Sequence, residues 1–116
     1  MKLMSDNVLE LLDEKVIEFN SRIENEPNFS KMIEGKNRTI CICVSDGDTY
    51  ASKLEDLRIE DFVRTEDSTA DLVVTANSET LIALIQREMS PVKAYMKGDL
   101  KVKASLTDML LLKKLF

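Results

Sequence analysis

The last stretch of the chain, residues 106–116, is apolar on more faces than an ordinary surface helix. Its hydrophobic residues are Leu106, Met109, Leu110, Leu111, Leu112, Leu115 and Phe116. Ser105, followed three residues later by Asp108, resembles a capping box and predicts that a helix begins here. A helix that is hydrophobic nearly all round must be covered on two sides. A sheet can cover one side, and a ligand, a second chain or a membrane surface is needed for the other.

The residues just before this segment predict a short helix followed by a strand. Ser90 can cap the helix from outside, and Pro91 fits its first position, where the missing N–H costs nothing. Gly98 supplies the left-handed conformation that ends such a helix. Apolar and basic residues then alternate from Leu100 to Ala104, which predicts a strand with one buried face.

The beginning of the chain predicts a long amphipathic helix, because apolar residues recur at steps of three or four. These residues are Val8, Leu12, Val16, Phe19 and Ile23, with Leu9, Leu11 and Ile17 widening the stripe. Ser5 or Asp6 is a suitable N-cap, and Pro27 marks the end of about five turns. A short second helix over residues 28–34 follows, with Gly35 as its terminator.

Four strands are predicted in the middle of the chain. They cover Thr39–Val44, Thr49–Leu54, Leu57–Arg64 and Ala70–Ala76. The first is apolar on both faces, which is typical of a central strand, and Asp46-Gly47 predicts a hairpin to the second. Phe62 and Val63 break the alternation of the third and indicate a bulge. Asn77 then caps another helix.

Together these elements predict an α+β fold with four meandering strands, helices, one more strand and a last helix. The expected core is a five-stranded, antiparallel-rich sheet with helices packed over one face, a long N-terminal helix and an apolar C-terminal helix. A length of 116 residues without an internal repeat or linker indicates a single domain spanning residues 1–116.

Charge and composition argue against several classes of function. Sixteen basic and twenty-one acidic residues give a net charge of −5, so we expect no nucleic-acid partner. No apolar run approaches the roughly 20 residues of a membrane span, and residues 1–7 lack a signal-peptide core, so we expect a cytoplasmic protein. The chain has no histidine, no Gly-rich phosphate loop and no nucleophile elbow, so we expect neither catalysis nor a cofactor or metal.

Cys41 and Cys43 are the only cysteines. They lie two residues apart on a predicted strand, so they share a face and point in parallel, and a disulfide between them would be strained. We interpret both as buried apolar thiols.

Most of the chain resembles the sterol carrier protein 2-like domain family. Ala70–Ile85 resembles the family's "adl-t-t-s-e-l-l" strand and helix, Ser90–Ala104 its "p--af--GklkikG" segment, and Met109–Leu115 its leucine-rich end helix. Val44–Tyr50 is similar to its first hairpin, and the likeness is strongest from residue 70 onward. The sequence departs from the family pattern at Ala104 and near Gln86-Arg87, where the family has glycines.

The resemblance implies a carrier or transfer module with an apolar tunnel between sheet and helices. The tunnel would hold a lipid: a fatty acid, a fatty acyl-CoA, a phospholipid or a sterol. We predict that the lipid-binding residues are the apolar side chains of the closing helices: Leu81, Ile82, Ile85, Met89, Tyr95, Met96, Leu106, Met109 and Leu110. Lys93, Lys97, Lys101 and Lys103 are candidates to bind an acidic head group at the tunnel mouth.

Two further hypotheses stay open: an accessory that delivers an apolar substrate to a separate enzyme, and an interaction protein. The same fold with a filled core would be a non-catalytic interaction protein whose last helix packs against another protein or forms a homodimer. A transient contact with a membrane surface is compatible with the apolar last helix.

Overall fold

The structure, a computed structural model, describes residues 4–115, apart from the side chains of residues 4–6, 112, 114 and 115. The elements in chain order are α1 Met4–Asn25, α2 Pro27–Ile33, β1 Arg38–Val44, β2 Thr49–Glu55, β3 Arg58–Ile59, β4 Val63–Thr65, β5 Leu72–Ala76, α3 Ser78–Ile85, α4 Pro91–Lys97, β6 Lys101–Lys103 and α5 Leu106–Leu115. The predicted α+β class is confirmed. Phe116, assigned to the last helix, lies outside the described residues.

The sheet has the strand order β3-β2-β1-β5-β6, and β4 also pairs with β2. β1 pairs antiparallel with β2 through the predicted hairpin and parallel with β5, while the other pairings are antiparallel. The expected meander of four strands is therefore wrong at β5, which returns to the free edge of β1. A strand apolar on both faces is buried, and its backbone N–H and C=O groups need partners on both edges.

The predicted third strand, Leu57–Arg64, is divided into β3 and β4, so the sheet has six strands rather than five. Leu57 itself lies in a turn, where Asp56 and Leu57 have φ angles of 51° and 60°. Between the two short strands the pairing with β2 continues, since the Glu60 N–H donates to the Lys53 carbonyl at 3.0 Å. The pairs Leu54–Ile59 and Ala51–Val63 enclose two residues on β2 but three on this segment, residues 60–62. One extra residue on one strand is a β-bulge, so the expected bulge is present and includes Phe62, which is 3% exposed.

The core lies between one face of the sheet and the helices. The parallel register places Ile40 beside Leu72 and Ile42 beside Val74 on this face. The apolar stripe predicted for α1 joins the same buried cluster, with Val8, Leu12, Val16 and Phe19 at most 3% exposed. α1 packs against α3 and contacts β3 at one edge of the sheet. α4 and α5 lie over the other end of the sheet, at β5 and β6.

The opposite face of β1 carries both cysteines, which are free thiols with Sγ atoms 3.7 Å apart. Cys41 is fully buried, whereas Cys43 is only partly buried. Burial and the neighbouring Cys43 thiol raise the pKa of Cys41 to about 12. The interpretation as buried apolar thiols is therefore confirmed for Cys41 and only half met by Cys43.

Candidate functional site

An apolar groove with a volume of 260 Å³ lies between α4, α5 and the β5–β6 end of the sheet. Its lining consists of Val74, Pro91, Val92, Tyr95, Leu100, Val102, Met109, Leu110 and Lys113. Among these nine side chains, only the Tyr95 hydroxyl and the Lys113 ammonium are strongly polar. Such a concave, apolar surface with few polar groups is the usual form of a small-molecule site.

The floor of the groove is built by the pairing of the last two strands of the sheet. Val74 of β5 stands directly opposite Val102 of β6 in the antiparallel register. Directly opposed residues project from the same face of a sheet, so the two valines lie side by side. Leu100, 6% exposed, extends this floor just before β6 begins. Lys101 and Lys103 alternate with Val102 and are exposed.

One wall is α4, whose ends follow the sequence signals. The Ser90 hydroxyl accepts a hydrogen bond from the Lys93 N–H at 3.4 Å, and Pro91 occupies the first turn. Gly98 ends the helix with a φ of 84°, a left-handed conformation that favours glycine. Ala94 is the buried side chain of this helix at 1% exposure. Its small size brings the α4 backbone close to the core.

The other wall is α5, and an ion pair attaches it to the sheet. The Ser105 hydroxyl accepts from the Asp108 N–H at 3.1 Å, as the capping-box pattern predicts. The Asp108 carboxylate is buried, and both of its oxygens accept from Arg38 Nε of β1, at 2.9 and 3.0 Å. Leu111, 4% exposed, packs into the core. Asp108 and Leu111 thus hold α5 while its neighbours line the groove.

The structure brings together only part of the predicted lining. Tyr95, Met109 and Leu110 line the groove. Leu81 and Ile85 are buried in the main core, and Ile82 and Met89 are partly buried against that core. Met96 and Leu106 are 80% and 85% exposed, and neither lines the groove.

Met89 instead lines a neighbouring depression of 410 Å³, which shares Pro91 with the groove. The charged side chains of Arg87 and Glu88 also line this depression. The groove, rather than the depression, therefore has the apolar character expected of a lipid site.

Sequence reasoning missed six of the nine lining residues. These are Val74, Pro91, Val92, Leu100, Val102 and Lys113. The alternation around Val102 and the apolar centre of β5 were available signals, but both predict only a buried face. Which buried positions border an open space depends on how α4 and α5 sit over the β5–β6 pair.

The cations are arranged differently from the prediction. The four lysines proposed for a head group, Lys93, Lys97, Lys101 and Lys103, are exposed and do not line the groove. Lys113 is the lysine among the lining residues, on the last turns of α5.

No helix within residues 4–115 is long and apolar enough to cross a bilayer. No three aspartate, glutamate or cysteine side chains described there are grouped so that they could hold a metal ion.

Comparison with known proteins gives a family match over almost the whole chain. The model of the SCP-2 sterol transfer family matches residues 5–116. No curated protein matches the chain.

Several solved structures share the fold. Sterol carrier protein 2 from Aedes aegypti, solved in complex with the C16 fatty acid palmitate, has a TM-score of 0.64 and 16% identity, covering 98% of this chain and 94% of that one. Palmitated SCP2L2 from Aedes aegypti has a TM-score of 0.54 and 17% identity, covering 87% and 90%. The stereoselective inverting sec-alkylsulfatase Pisa1 from Pseudomonas sp. has a TM-score of 0.61 and 17% identity. That match covers 75% of this chain but only 14% of the sulfatase, so the chain corresponds to about one seventh of that enzyme.

Proposed function

We propose that this chain, which belongs to the SCP-2 sterol transfer family, is a lipid-binding domain that carries one apolar chain in the groove between α4, α5 and the sheet. The observation that supports this best is the groove itself, where seven of nine lining side chains are aliphatic or thioether groups. The similar Aedes aegypti proteins solved with palmitate suggest a fatty acid as the first ligand to test.

The volume of the groove favours a single alkyl chain of moderate length. A protein cavity of about 150 Å³ accommodates the six carbons of benzene. By proportion, the 260 Å³ of this groove corresponds to about ten carbon atoms. A longer fatty acid would leave part of its chain outside, and a four-ring sterol would exceed the space.

The position of Lys113 favours a lipid with an acidic head group. It lies among the lining residues next to Leu110 and Met109 along α5, where apolar lining gives way to a cation. A carboxylate beside the ammonium would keep its hydration, because Lys113 is exposed. We therefore propose a medium-chain fatty acid with its carboxylate near Lys113.

The test is displacement of a fluorescent fatty acid by unlabelled acids of increasing length. Each methylene that enters the groove contributes about 0.8 kcal/mol, or about a fourfold gain in affinity. The gain should continue to about ten carbons and then level off. The absence of displacement at any length would refute the function, and a steady gain to sixteen carbons would refute the chain length.

Leu110→Asp separates ligand binding from folding. Leu110 is 62% exposed, so a carboxylate there costs the folded protein little, yet it would face a bound alkyl chain. Placing this carboxylate against the bound alkyl chain costs more than about 1.4 kcal/mol of binding free energy, so the affinity should fall at least about tenfold. Ile17→Asp, at a position 71% exposed on α1, is the matched control and should leave affinity unchanged.

Lys113→Gln tests the head group. The affinity for decanoate should fall by up to about fivefold, the strength of an exposed ion pair, while the affinity for decanol should stay the same. An equal loss for both ligands would show that Lys113 contributes through its methylenes only.

A further inference from the structure

Exposed apolar side chains are concentrated on the two helices that form the groove walls. Five of them lie on α4 and α5: Val92, Tyr95, Met96, Leu106 and Leu110. The other large apolar side chains exposed in the described residues are dispersed over four segments: Ile17, Met32, Leu57 and Val63. A groove ligand can cover Val92, Tyr95 and Leu110 but not Met96 and Leu106, which lie outside it. A ligand in the groove therefore leaves two large apolar side chains exposed beside it.

The C-terminal segment that contains α4 and α5 also differs in net charge from the rest of the chain. Residues 91–116 contain six lysines and two aspartates, a net charge of +4, whereas residues 1–90 contain ten basic and nineteen acidic residues, a net charge of −9. One of the two aspartates, Asp108, is buried in its ion pair with Arg38. Lys93 and Lys97 on α4 and Lys113 on α5 are exposed. Lys101 and Lys103 are also exposed, but they alternate with Val102 of the groove floor and so project from the opposite face of the sheet.

The two kinds of side chain lie in adjacent rows on α4. Val92 and Met96 are four residues apart and form an apolar row, and Lys93 and Lys97 form a basic row beside it. All four are exposed, because Ala94 is the side chain that the helix buries. Helices that lie in a membrane interface combine such an apolar row with flanking lysines.

We propose that α4 and α5 form a docking face for the surface of an anionic lipid bilayer. The exposed Met96 and Leu106 enter the head-group region, and Lys93, Lys97 and Lys113 meet the lipid charges. The acidic remainder of the chain is repelled by the same surface, which turns this face toward the bilayer. Because Val92, Tyr95 and Leu110 belong both to this face and to the groove lining, docking brings the groove against the bilayer.

A second copy of the chain fits this face poorly. A twofold interface places the same patch on both partners, so Lys93, Lys97 and Lys113 of one copy would face the same lysines of the other. Like charges directly opposed across an interface disfavour association. An anionic bilayer offers both an apolar layer and the complementary charge.

The test is co-sedimentation with vesicles of phosphatidylcholine alone and of phosphatidylcholine mixed with phosphatidylserine. The protein should bind the anionic vesicles at low salt, release them at high salt and not bind neutral ones. The double variant Lys93→Gln/Lys97→Gln should lose about 25-fold in affinity, about fivefold for each lysine near the surface. The double variant Lys31→Gln/Lys36→Gln changes the net charge equally but lies outside the face, so it should bind as the wild type does.

The apolar contribution is tested with Met96→Ser/Leu106→Ser and its matched control Ile17→Ser/Val63→Ser. All four positions are at least 61% exposed, so folding should be unaffected. Only the first pair should weaken vesicle binding, and neither pair should change fatty-acid affinity, since none of the four side chains lines the groove. Fatty-acid displacement therefore tests the proposed function independently of docking.

Three results would overturn the proposal. These are no binding to anionic vesicles at low salt, an equal loss in the matched control variants, and a dimer in sedimentation that Met96→Ser/Leu106→Ser dissociates. The last result would assign the face to a second copy of the chain.

Discussion

The ion pair between Arg38 and Asp108 should hold α5, the second wall of the groove, against the sheet. Replacing Asp108 by Asn keeps the shape of the side chain and the cap from Ser105, but exchanges one acceptor oxygen for an N–H₂ group. Arg38 Nε now donates to both carboxylate oxygens, at 2.9 and 3.0 Å. In the variant one of these contacts brings two donors together, so α5 loses the ion pair and keeps at most one hydrogen bond from Arg38 to a neutral amide oxygen.

The expected cost follows from burial. The Asp108 side chain is 7% exposed and that of Arg38 33% exposed. Breaking a fully buried pair costs about 3–5 kcal/mol, and a net hydrogen bond to a charged group is worth about 1.5–3 kcal/mol. Because Arg38 still reaches water, we expect a loss of about 2 kcal/mol. For 116 residues the entropy of unfolding is about 0.24 kcal/mol/K, so Tm should fall by about 8 °C.

A double-mutant cycle isolates the pair from other effects. Asp108→Asn, Arg38→Gln and the double variant are unfolded in urea, and the coupling free energy should be at least about 1.5 kcal/mol. Amide exchange in residues 106–115 should accelerate in Asp108→Asn more than in β1, because α5 opens first. A coupling below about 0.5 kcal/mol, or unchanged exchange in α5, would refute the view that this pair holds the wall.

Three further predictions concern the scaffold. Hydrogen bonds from the Ser78 hydroxyl and N–H lower the pKa of Asp46. The carboxylate therefore stabilises the fold fully above its unfolded pKa of about 3.9, and this stability is lost as pH falls through the lower folded pKa. In urea unfolding, Asp46→Asn should lose less stability than the wild type below pH 4, and an equal dependence of unfolding free energy on pH in both proteins would contradict this. Burial is the largest cause of the raised pKa of Cys41 and remains when Cys43 is replaced, so in a Cys43→Ser variant iodoacetamide should label Cys41 only after denaturation, as mass spectrometry would show. Leu57 has a φ of 60°, so Leu57→Gly should raise the free energy of unfolding by about 0.5–1 kcal/mol; a lower Tm would show that packing of the leucine matters more.

Much of the fold was predictable because its signals are local. Pro91 and Gly98 bound α4 through backbone geometry that each residue carries with it. Asn77 accepts from the Thr80 N–H at 2.8 Å and begins α3 where the sequence places it. The spacing of apolar residues fixes which side of α1 is buried.

The errors arose where a residue's environment comes from distant segments. Nothing near Leu72 in the sequence says that β5 pairs parallel with β1, because the hydrogen bonds are made by backbone groups common to all residues. The division of the predicted third strand into β3 and β4 depends on how that segment pairs with β2, which residues 57–64 do not set alone. Lys113 resembles any exposed lysine until α5 is placed beside the groove.

The sequence by itself determined that the C-terminal segment carries more apolar surface than one sheet can cover, because hydrophobicity and helical period are properties of the chain. Only the tertiary structure decided how that surface is used: Leu111 in the core, Leu110 at the groove and Leu106 in solvent. The physical reason is that burial is a property of pairs of surfaces. The rotation of α5 is set by contacts such as that between Asp108 and Arg38, 70 residues apart in the chain.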